Sequence, residues 1–302
     1  MLNSLSYSSL QSWAECRYAW FGHYILGLES QPSAAMVFGK AIDEALSASN
    51  QNKLDTDSYL QPEIVVPIFR DSFESSLPEE NSRPSLFSSA LDYFWRGDDA
   101  EAMLADGEEL LRLYYAKPWA EPDDDFLPLH SAGQISPDGV QLRLELPLPG
   151  DHVNSLIGIL DLLDDSGVVV DYKARKRAGS WDTMDFDLQP TTYATLLGRP
   201  TTLQFIELIR GDKRCSIRSH ATHRTETDIE RFLAYVQITG REIDTAIKMM
   251  TKELGAVESW KEDPEAVRLA AGFFPPSPGR RCAFEGHFVD CMFRAGGPPD
   301  DE

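Results

Sequence analysis

Apolar positions in the first half of the chain recur mainly at helical spacing. One such face repeats at i, i+4, i+7 and i+8 and consists of Phe38, Ile42, Ala45 and Leu46. A capping-box pattern at Ser8 predicts an earlier helix, which continues in aromatic residues to Tyr24 and stops near Gly27. The pattern from about residue 62 to 116 is helical as well, and we interpret residues 50–130 as a helical insertion.

The pattern changes near residue 140, where apolar and polar residues alternate with the period of a half-buried strand. Two further strands are predicted over residues 155–163 and 168–172, separated by an Asp-Asp-Ser-Gly turn. The later elements that the pattern predicts are a helix at about 188–197, a buried strand at 203–209 with a partner near Ser216, and a long helix from Thr227.

The composition is that of a folded protein with a substantial core, since 42% of the 302 residues are hydrophobic. Length alone fits one large domain or two smaller ones. The net charge of -21 argues against a protein that coats nucleic acid non-specifically, because a strongly negative field repels a polyphosphate. An enzyme needs only a local basic groove.

Two clusters of basic residues could supply such a groove. One comprises Lys173, Arg175, Lys176 and Arg177, and the other comprises Arg210, Lys213, Arg214 and Arg218. Solvated loops remain the alternative interpretation of both clusters.

The sequence predicts a cytoplasmic protein. No stretch approaches the roughly 20 apolar residues that cross a bilayer, and the first residues lack a basic head followed by a long apolar run. The four cysteines are too few and too unevenly spaced for the disulfide framework of a small secreted domain, which favours a reducing compartment.

Carboxylates at the ends of two predicted strands point to metal-dependent chemistry. Hydrolysis of a phosphodiester needs a hard divalent cation, an activated water and nearby positive charge. Asp161 ends the segment Gly158-Ile159-Leu160-Asp161 of one strand and Asp171 lies in the next, so antiparallel pairing can bring both carboxylates near one point that suits Mg²⁺ or Mn²⁺. Lys173 shares a face with Asp171 while Tyr172 points away. An Asp-x-Lys triplet alone, however, also arises by chance in so acidic a chain.

Gln189 and Tyr193 are four residues apart on the next predicted helix and therefore share one of its faces. From there they could reach a scissile phosphate or Lys173. Each residue alone is most simply a solvated amide or a partly buried ring. The order and spacing of all five residues together carry the hypothesis.

That order, Gly-x-x-Asp, Asp-Tyr-Lys and then Gln-x-x-x-Tyr, resembles the RecB-like nucleases of the PD-(D/E)XK superfamily, which include CRISPR-associated and helicase-linked exonucleases. Residues 6–28 resemble the opening helix of that family, and residues 38–46 resemble its next motif. The resemblance implies an α/β fold with a restriction-endonuclease-like core, a central mixed sheet flanked by helices, and a helical insertion. It further implies a single domain over residues 1–302 with a cysteine-bearing tail at about 273–302.

The resemblance also assigns roles to individual residues. The catalytic set that it implies is Asp161, Asp171, Lys173, Gln189 and Tyr193. The implied ligands of Mg²⁺ or Mn²⁺ are Asp43, Asp161, Asp171 and the backbone carbonyl of Tyr172. Asp43 occupies a position where the family normally has a histidine, and a carboxylate can still ligate these ions. Arg175, Lys176 and Arg177 are candidate DNA contacts.

An iron–sulfur cluster is a further implication of the resemblance. Cys16, Cys282 and Cys291 resemble three of the four family ligands, and Glu285 stands where the remaining cysteine is usual. Because a [4Fe–4S] cluster normally takes four thiolates, several alternatives stay open. They are ligation by Glu285, rescue by His287 or Cys215, a zinc ion, a metal-free remnant, and simply buried or unused cysteines.

The function implied is a metal-dependent DNA exonuclease of DNA processing, recombination or repair. Its expected substrate is DNA with single strands or free ends, and its expected partner is a helicase or recombinase rather than a membrane. Asp43 and Glu285 motivate an alternative, a catalytically impaired DNA-end-binding or scaffold subunit of the same fold. A weaker alternative is an acidic surface that mimics DNA.

Overall fold

The computed structural model describes residues 3–28, 33–77, 95, 98–116, 134–180, 184–211 and 214–277. Its internal contacts divide the chain into two compact units. The terminal unit comprises Met1–Ser30, Glu145–Gly158 and Thr227–Glu302. The central unit comprises Gln31–Leu144 and Ile159–Glu226. The single-domain organisation expected from the sequence stays a prediction.

The terminal unit is built around aromatic side chains. Its elements are β1 (Ser4–Leu5), α1 (Tyr7–Glu15), α2 (Arg17–Tyr24), the long helix α7 (Glu226–Leu254) and α8 (Pro264–Ala271), with a 3₁₀ turn at Val257–Ser259. Trp20 and Phe21 are buried and stack on Phe274, at ring-centroid distances of 5.9 and 4.8 Å. β1 pairs in parallel with the first residues of β3 (Ser155–Asp164), Ser4 with Ser155 and Leu5 with Leu156.

Three helices of the central unit form one hydrophobic layer. They are α3 (Ala34–Thr56), α4 (Pro62–Ser75) and α5 (Ala100–Ala116). Phe38 of α3 meets Phe69 and Phe73 of α4 edge to face, with ring centroids 5.6 and 6.2 Å apart. Gly107 lets α5 approach this cluster, because a Cβ there would overlap the Phe69 ring. The layer packs against one face of the sheet.

The sheet of the central unit is mixed. Its remaining strands are β2 (Ile135–Pro147), β4 (Val169–Arg175), β5 (Thr201–Ile209) and β6 (Ser216–Arg224). Strand order is β3-β4-β5-β6, and β2 pairs with β3. β4 is antiparallel to β3 and parallel to β5, and α6 (Leu188–Leu197) supplies the crossover between the parallel pair.

Successive residues of β4 face opposite layers of the central unit. Val170 packs with the layer formed by α3, α4 and α5. Val169 packs on the other face with Tyr193 of α6 and with Phe205 of β5. Helices therefore cover both faces, and the fold class predicted from the sequence, a mixed sheet flanked by helices, is confirmed.

Local details differ from the predicted elements. The opening helix is interrupted at Cys16, whose backbone is extended between α1 and α2. β4 continues three residues beyond Tyr172, because its register with β5 extends to the pair Arg175 and Ile209. In the part of the chain that the structure describes, no helix has the length and apolar character needed to cross a membrane.

Candidate active site

The candidate site lies on the α6 side of β4, within the central unit. Asp171 and Lys173 alternate with Tyr172 along the strand and so point to the same face. The Asp171 side chain is only 2% exposed, and its Oδ2 lies 2.7 Å from Lys173 Nζ. Lys173 also lies over the Phe205 ring at 5.8 Å. Burial in an apolar layer makes this carboxylate depend on nearby positive charge.

Tyr172 anchors the strand from the opposite face. Its hydroxyl accepts a hydrogen bond from Asn50 Nδ2 at 3.2 Å and lies 3.2 Å from the hydroxyl of Tyr114. Burial is the main cause that raises the pKa of Tyr172 above its ordinary value. The phenol therefore stays neutral and serves to fix β4 against the helical layer.

The Asp161 side chain accepts a backbone hydrogen bond from the neighbouring strand β4. The ladder between β3 and β4 comprises the pairs Leu162 with Val170 and Leu163 with Val169. At the next position Asp161 Oδ2 accepts the backbone N–H of Tyr172 at 2.9 Å. Burial raises the pKa of Asp161 well above its ordinary value, and the Asp171 and Asp43 carboxylates add to this rise. The carboxyl is thereby fixed beside β4.

Asp43 reaches the same electrostatic environment from α3. Its carboxylate oxygens accept from Gln141 Nε2 at 3.2 and 3.3 Å. Burial raises the pKa of Asp43, and repulsion from Asp171 adds to the rise. Gln141 has a positive φ of 49°, a backbone conformation that non-glycine residues rarely adopt and that often accompanies functional sites. The alternating pattern that predicted β2 gave no indication that Gln141 contacts Asp43.

Gln189 connects the acid and the amine. Its Oε1 accepts from Lys173 Nζ at 2.8 Å, and its Nε2 donates to Asp171 Oδ1 at 2.7 Å. The same Nε2 lies 2.7 Å from the Tyr193 hydroxyl, which is 3.5 Å from Asp171 Oδ1. The side chain of Asp187 caps α6 by accepting the backbone N–H of Gln189 at 2.8 Å. α6 thus begins at the point that places this amide over β4.

Glu207 is a buried acid that the sequence reasoning missed. It neighbours Lys173 in the register of β4 and β5, and it is fully buried. Its Oε1 accepts the backbone N–H of Gly179 at 2.9 Å and pairs with Arg175 Nε at 3.3 Å. A charged residue inside the otherwise apolar run of β5 was the available signal, because buried carboxylates need partners.

Two of the predicted DNA contacts are engaged in ion pairs. Arg175 pairs with Glu207 as described, and Lys176 Nζ lies 2.9 Å from Asp98 Oδ1. Arg210, from the second basic cluster, is buried and lies 3.1 Å from the other oxygen of Asp98. Arg177 lies two residues beyond the end of β4 and is exposed.

The donor set fits a hard divalent cation. Burial, and after it repulsion from the Asp171 carboxylate, raises the pKa of both Asp43 and Asp161, and a bound cation would offset the repulsion. Carboxylate oxygens are the ligands that Mg²⁺ and Mn²⁺ prefer. Among the described residues, no three His, Cys, Asp or Glu side chains are drawn together into a ready-made cage. The present geometry instead has Lys173 bonded to Asp171.

Two of the four cysteines, Cys16 and Cys215, lie in the described part of the chain. Cys16 is buried as a free thiol in the terminal unit, and Cys215 is buried as a free thiol in the central unit. Burial and then the Asp106 carboxylate raise the pKa of Cys215 to about 12, so this thiol is protonated at neutral pH. The remaining candidate ligands Cys282, Glu285, His287 and Cys291 lie outside the described residues.

Comparison with known proteins places this geometry in a family context. The sequence profile of the PD-(D/E)XK nuclease superfamily matches residues 4–295. Among solved structures, the chain resembles a protein from Eubacterium rectale that is provisionally named an exonuclease, at 13% sequence identity and a TM-score of 0.48. That likeness covers 91% of this chain and 84% of the other. No curated protein matches the chain.

Proposed function

This chain belongs to the PD-(D/E)XK nuclease superfamily, and on that premise we propose that it is an active, metal-dependent deoxyribonuclease that digests DNA from its ends. The observation that carries the proposal is the bridge made by Gln189, which bonds both Asp171 and Lys173. An amide that orients an acid and an amine together is what a preorganised hydrolytic site requires.

The metal ligands we propose are Asp161, Asp171 and Asp43, with the backbone carbonyl of Tyr172. A bound Mg²⁺ or Mn²⁺ supplies Lewis-acid activation of water and of the phosphoryl oxygens. The N–H of Tyr172 fixes the Asp161 carboxylate, and Gln189 fixes the Asp171 carboxylate, so neither acid has to be ordered at the time of reaction.

We propose that Lys173 orients the attacking water and stabilises the negative charge that develops in the transition state. The water oxygen bonds to phosphorus and gives up a proton as the bond between phosphorus and the leaving oxygen breaks. The leaving oxygen takes up a proton, so the net reaction consumes one water and needs no further reactant. An ammonium group beside the phosphate stabilises the negative charge of the transition state. Gln189 and Tyr193 hold Lys173 and Asp171 in place for this step.

DNA with single strands or free ends is the proposed substrate, and a helicase or recombinase of DNA repair or recombination is the proposed partner. The net charge of -21 disfavours binding over the whole surface, so substrate has to enter through local positive charge. The cations we propose for this role are Lys173 and Arg175 on the site face of β4, with Lys176 and Arg177 after it. Phosphate groups would compete for the first three with the carboxylates that these residues contact in the DNA-free protein. A cytoplasmic location is part of this proposal.

The test is cleavage of end-labelled single- and double-stranded DNA by wild type, Asp171→Asn and Lys173→Met in Mg²⁺, in Mn²⁺ and in EDTA. We expect cleavage that depends on the ion and falls at least about 100-fold in both variants, the scale of losing one charge-stabilising or proton-transferring group. Lys252→Met, an exposed lysine of α7, is the matched control and should retain full activity. Undiminished cleavage by both site variants would reject the assignment.

A DNA-end-binding subunit without catalysis is the second candidate. Asp43 favours it, because its carboxylate is bonded to Gln141 and takes the place of the histidine usual in the family. Tight binding of DNA ends by wild type with no product in either metal would support this role.

The iron–sulfur cluster also stays a proposal, with Cys16, Cys282 and Cys291 as thiolate ligands and Glu285 as the fourth. Purification without oxygen, followed by a visible absorption spectrum and iron analysis, tests it. A colourless protein without iron would remove the cluster and leave the nuclease proposal unaffected.

A further inference from the structure

Phe186 is an aromatic side chain held out in solvent beside the candidate site. It is 86% exposed and is the most exposed large hydrophobic residue of the described part of the chain. Isolated exposed apolar residues are common on protein surfaces and by themselves indicate nothing. What distinguishes Phe186 is the rigid support of the turn that carries it.

A buried arginine clamps both sides of this turn. Arg224 Nη2 donates to the carbonyl oxygens of Asp185 at 2.8 Å and Asp187 at 3.2 Å, the residues that flank Phe186. The rest of its guanidinium is held inside the protein, with Nε donating to Thr191 Oγ1 at 2.8 Å. These hydrogen bonds restrain the backbone on both sides of Phe186 and hold its Cα at the surface.

The acids beside Phe186 are occupied by other partners. Asp185 Oδ1 lies 2.8 Å from His220 Nε2, and this hydrogen bond lowers the pKa of Asp185. The carboxylate of Asp187 caps the first turn of α6 through the N–H of Gln189. Both carboxylates are thus held by hydrogen bonds within the protein, which keeps them from swinging over the Phe186 ring.

Two independent paths tie the turn to the reactive residues. Along the chain, Phe186 precedes Gln189 by three residues, so their Cα atoms are at most ~11 Å apart. Across the sheet, Asp185 bonds His220, which neighbours Phe205 in the register of β5 and β6. Lys173 Nζ lies over that Phe205 ring at 5.8 Å. Stacked nucleotides rise ~3.4 Å each, so the ring lies within a few nucleotides of a phosphate held at Lys173.

We propose that Phe186 is a stacking platform for an unpaired nucleobase of the DNA strand entering the site. A ring offers a π-face that any base can use, so the contact is independent of sequence but requires the base to be outside a duplex. The inference rests on the proposed function for its substrate, and it makes Phe186 the residue that favours single strands and frayed ends.

The test measures binding separately from cleavage. Fluorescence anisotropy in EDTA follows labelled single-stranded oligonucleotides in which one base at a time is replaced by an abasic site. For wild type we expect one position where loss of the base weakens binding about five-fold to about a hundred-fold, the scale of one base–aromatic stack. Phe186→Ala should show that same loss on the intact strand and no further loss at the abasic position.

Matched variants separate stacking from simple apolar contact. Phe186→Trp should keep the position-dependent profile, whereas Phe186→Leu should behave like the alanine variant. Ile64→Ala, at an exposed apolar residue of α4, should bind like wild type. The circular dichroism spectra of the three Phe186 variants and of Ile64→Ala should match that of wild type, since the Phe186 and Ile64 side chains are on the surface.

The outcomes distinguish this inference from the proposed function. Equal affinity of wild type and Phe186→Ala for single strands, or an abasic profile that persists in Phe186→Ala, overturns the stacking role. Absence of cleavage in Mg²⁺ and Mn²⁺ together with the expected abasic profile removes the nuclease proposal and leaves the stacking site standing.

Discussion

At the residue scale, Gln189 is the side chain on which the site depends. It is 8% exposed, and its amide hydrogen-bonds two charged groups: the oxygen accepts from Lys173 and the nitrogen donates to Asp171. Without it, the buried Asp171 carboxylate would lose a donor and Lys173 would lose an acceptor that fixes its direction. Groups that orient metal ligands commonly change activity more than they change stability.

Replacing Gln189 with Ala should lower kcat about 10- to 100-fold, because the acid and the amine lose their common support. KM should change little, since we assign Gln189 no contact with distant parts of the substrate. Steady-state cleavage kinetics measure both quantities. Gln51→Ala, at an exposed glutamine of α3, is the control. A rise confined to KM, with kcat unchanged, would instead assign Gln189 to substrate binding.

Asp161 gives a prediction about pH and stability. Its folded-state pKa is raised by burial and by the neighbouring acids, so between the ordinary and the raised pKa this one carboxyl binds more protons in the metal-free folded protein than in the unfolded chain. The resulting stabilisation is present below the ordinary pKa of 3.8 and is lost as pH rises through the raised value. At neutral pH the ionised Asp161 therefore destabilises the metal-free protein.

Asp161→Asn should accordingly raise the unfolding free energy in EDTA at neutral pH and flatten its dependence on pH. The amide oxygen can still accept the N–H of Tyr172, and each pKa unit removed is worth about 1.4 kcal/mol. Denaturant unfolding from acid to neutral pH measures the effect, with the exposed Asp71→Asn on α4 as control. Parallel curves for wild type and Asp161→Asn would contradict the raised pKa.

At the element scale, helix packing in the central unit depends on where glycine occurs. Gly107 of α5 faces Phe69, and a Cβ at this position would overlap the ring. Gly39 of α3 also lies within a helix, yet a Cβ there would meet nothing within 4 Å. The same substitution should therefore have opposite signs at the two positions.

Gly107→Ala should destabilise the protein by about 1–3 kcal/mol, because overpacking forces α4 and α5 apart. Gly39→Ala should stabilise it by about 0.5–1 kcal/mol, because alanine restricts the unfolded chain and favours the helix. Thermal and denaturant unfolding measure both values. If Gly107→Ala proved neutral, the close approach of α5 to Phe69 would be wrong.

At the scale of the whole molecule, a large net negative charge accompanies a site that we propose binds both a cation and a polyanion. The net charge of -21 concentrates divalent ions near the protein, and mutual repulsion within the site adds a local demand for them. If divalent ions act only through the overall charge, a substitution in the site should leave their effect on Tm unchanged. If they bind at the site, the same substitution should remove that effect.

Mg²⁺ or Mn²⁺ should raise the Tm of wild type, because an ion that binds only the folded state stabilises it by mass action, by about 2.7 kcal/mol at 100 times its Kd. Asp171→Asn should lose most of this response. Sodium chloride at matched ionic strength controls for screening of the acidic surface. An equal rise in Tm for both proteins would assign the effect to the surface and not to the site.

The sequence by itself determined the parts of the protein whose information is local. The bounds of α6 follow from a capping aspartate, Asp187, and a left-handed glycine, Gly198, at its two ends. The shared face of Asp171 and Lys173 follows from the two-residue period of a strand. Both signals are complete within a few residues, so a single sequence is enough to read them.

The tertiary structure decided what depends on residues far apart in the chain. The pairing of Glu207 with Arg175, the anchoring of Tyr172 by Asn50, and the electrostatic coupling of Asp43 to Asp171 all require the register and packing of separate elements. Periodicity assigns each residue to a face, but a slip of two residues keeps the faces and changes every neighbour, so the partners of each acid stay undetermined. Only the folded chain selects one alignment, and with it the surroundings of each acid.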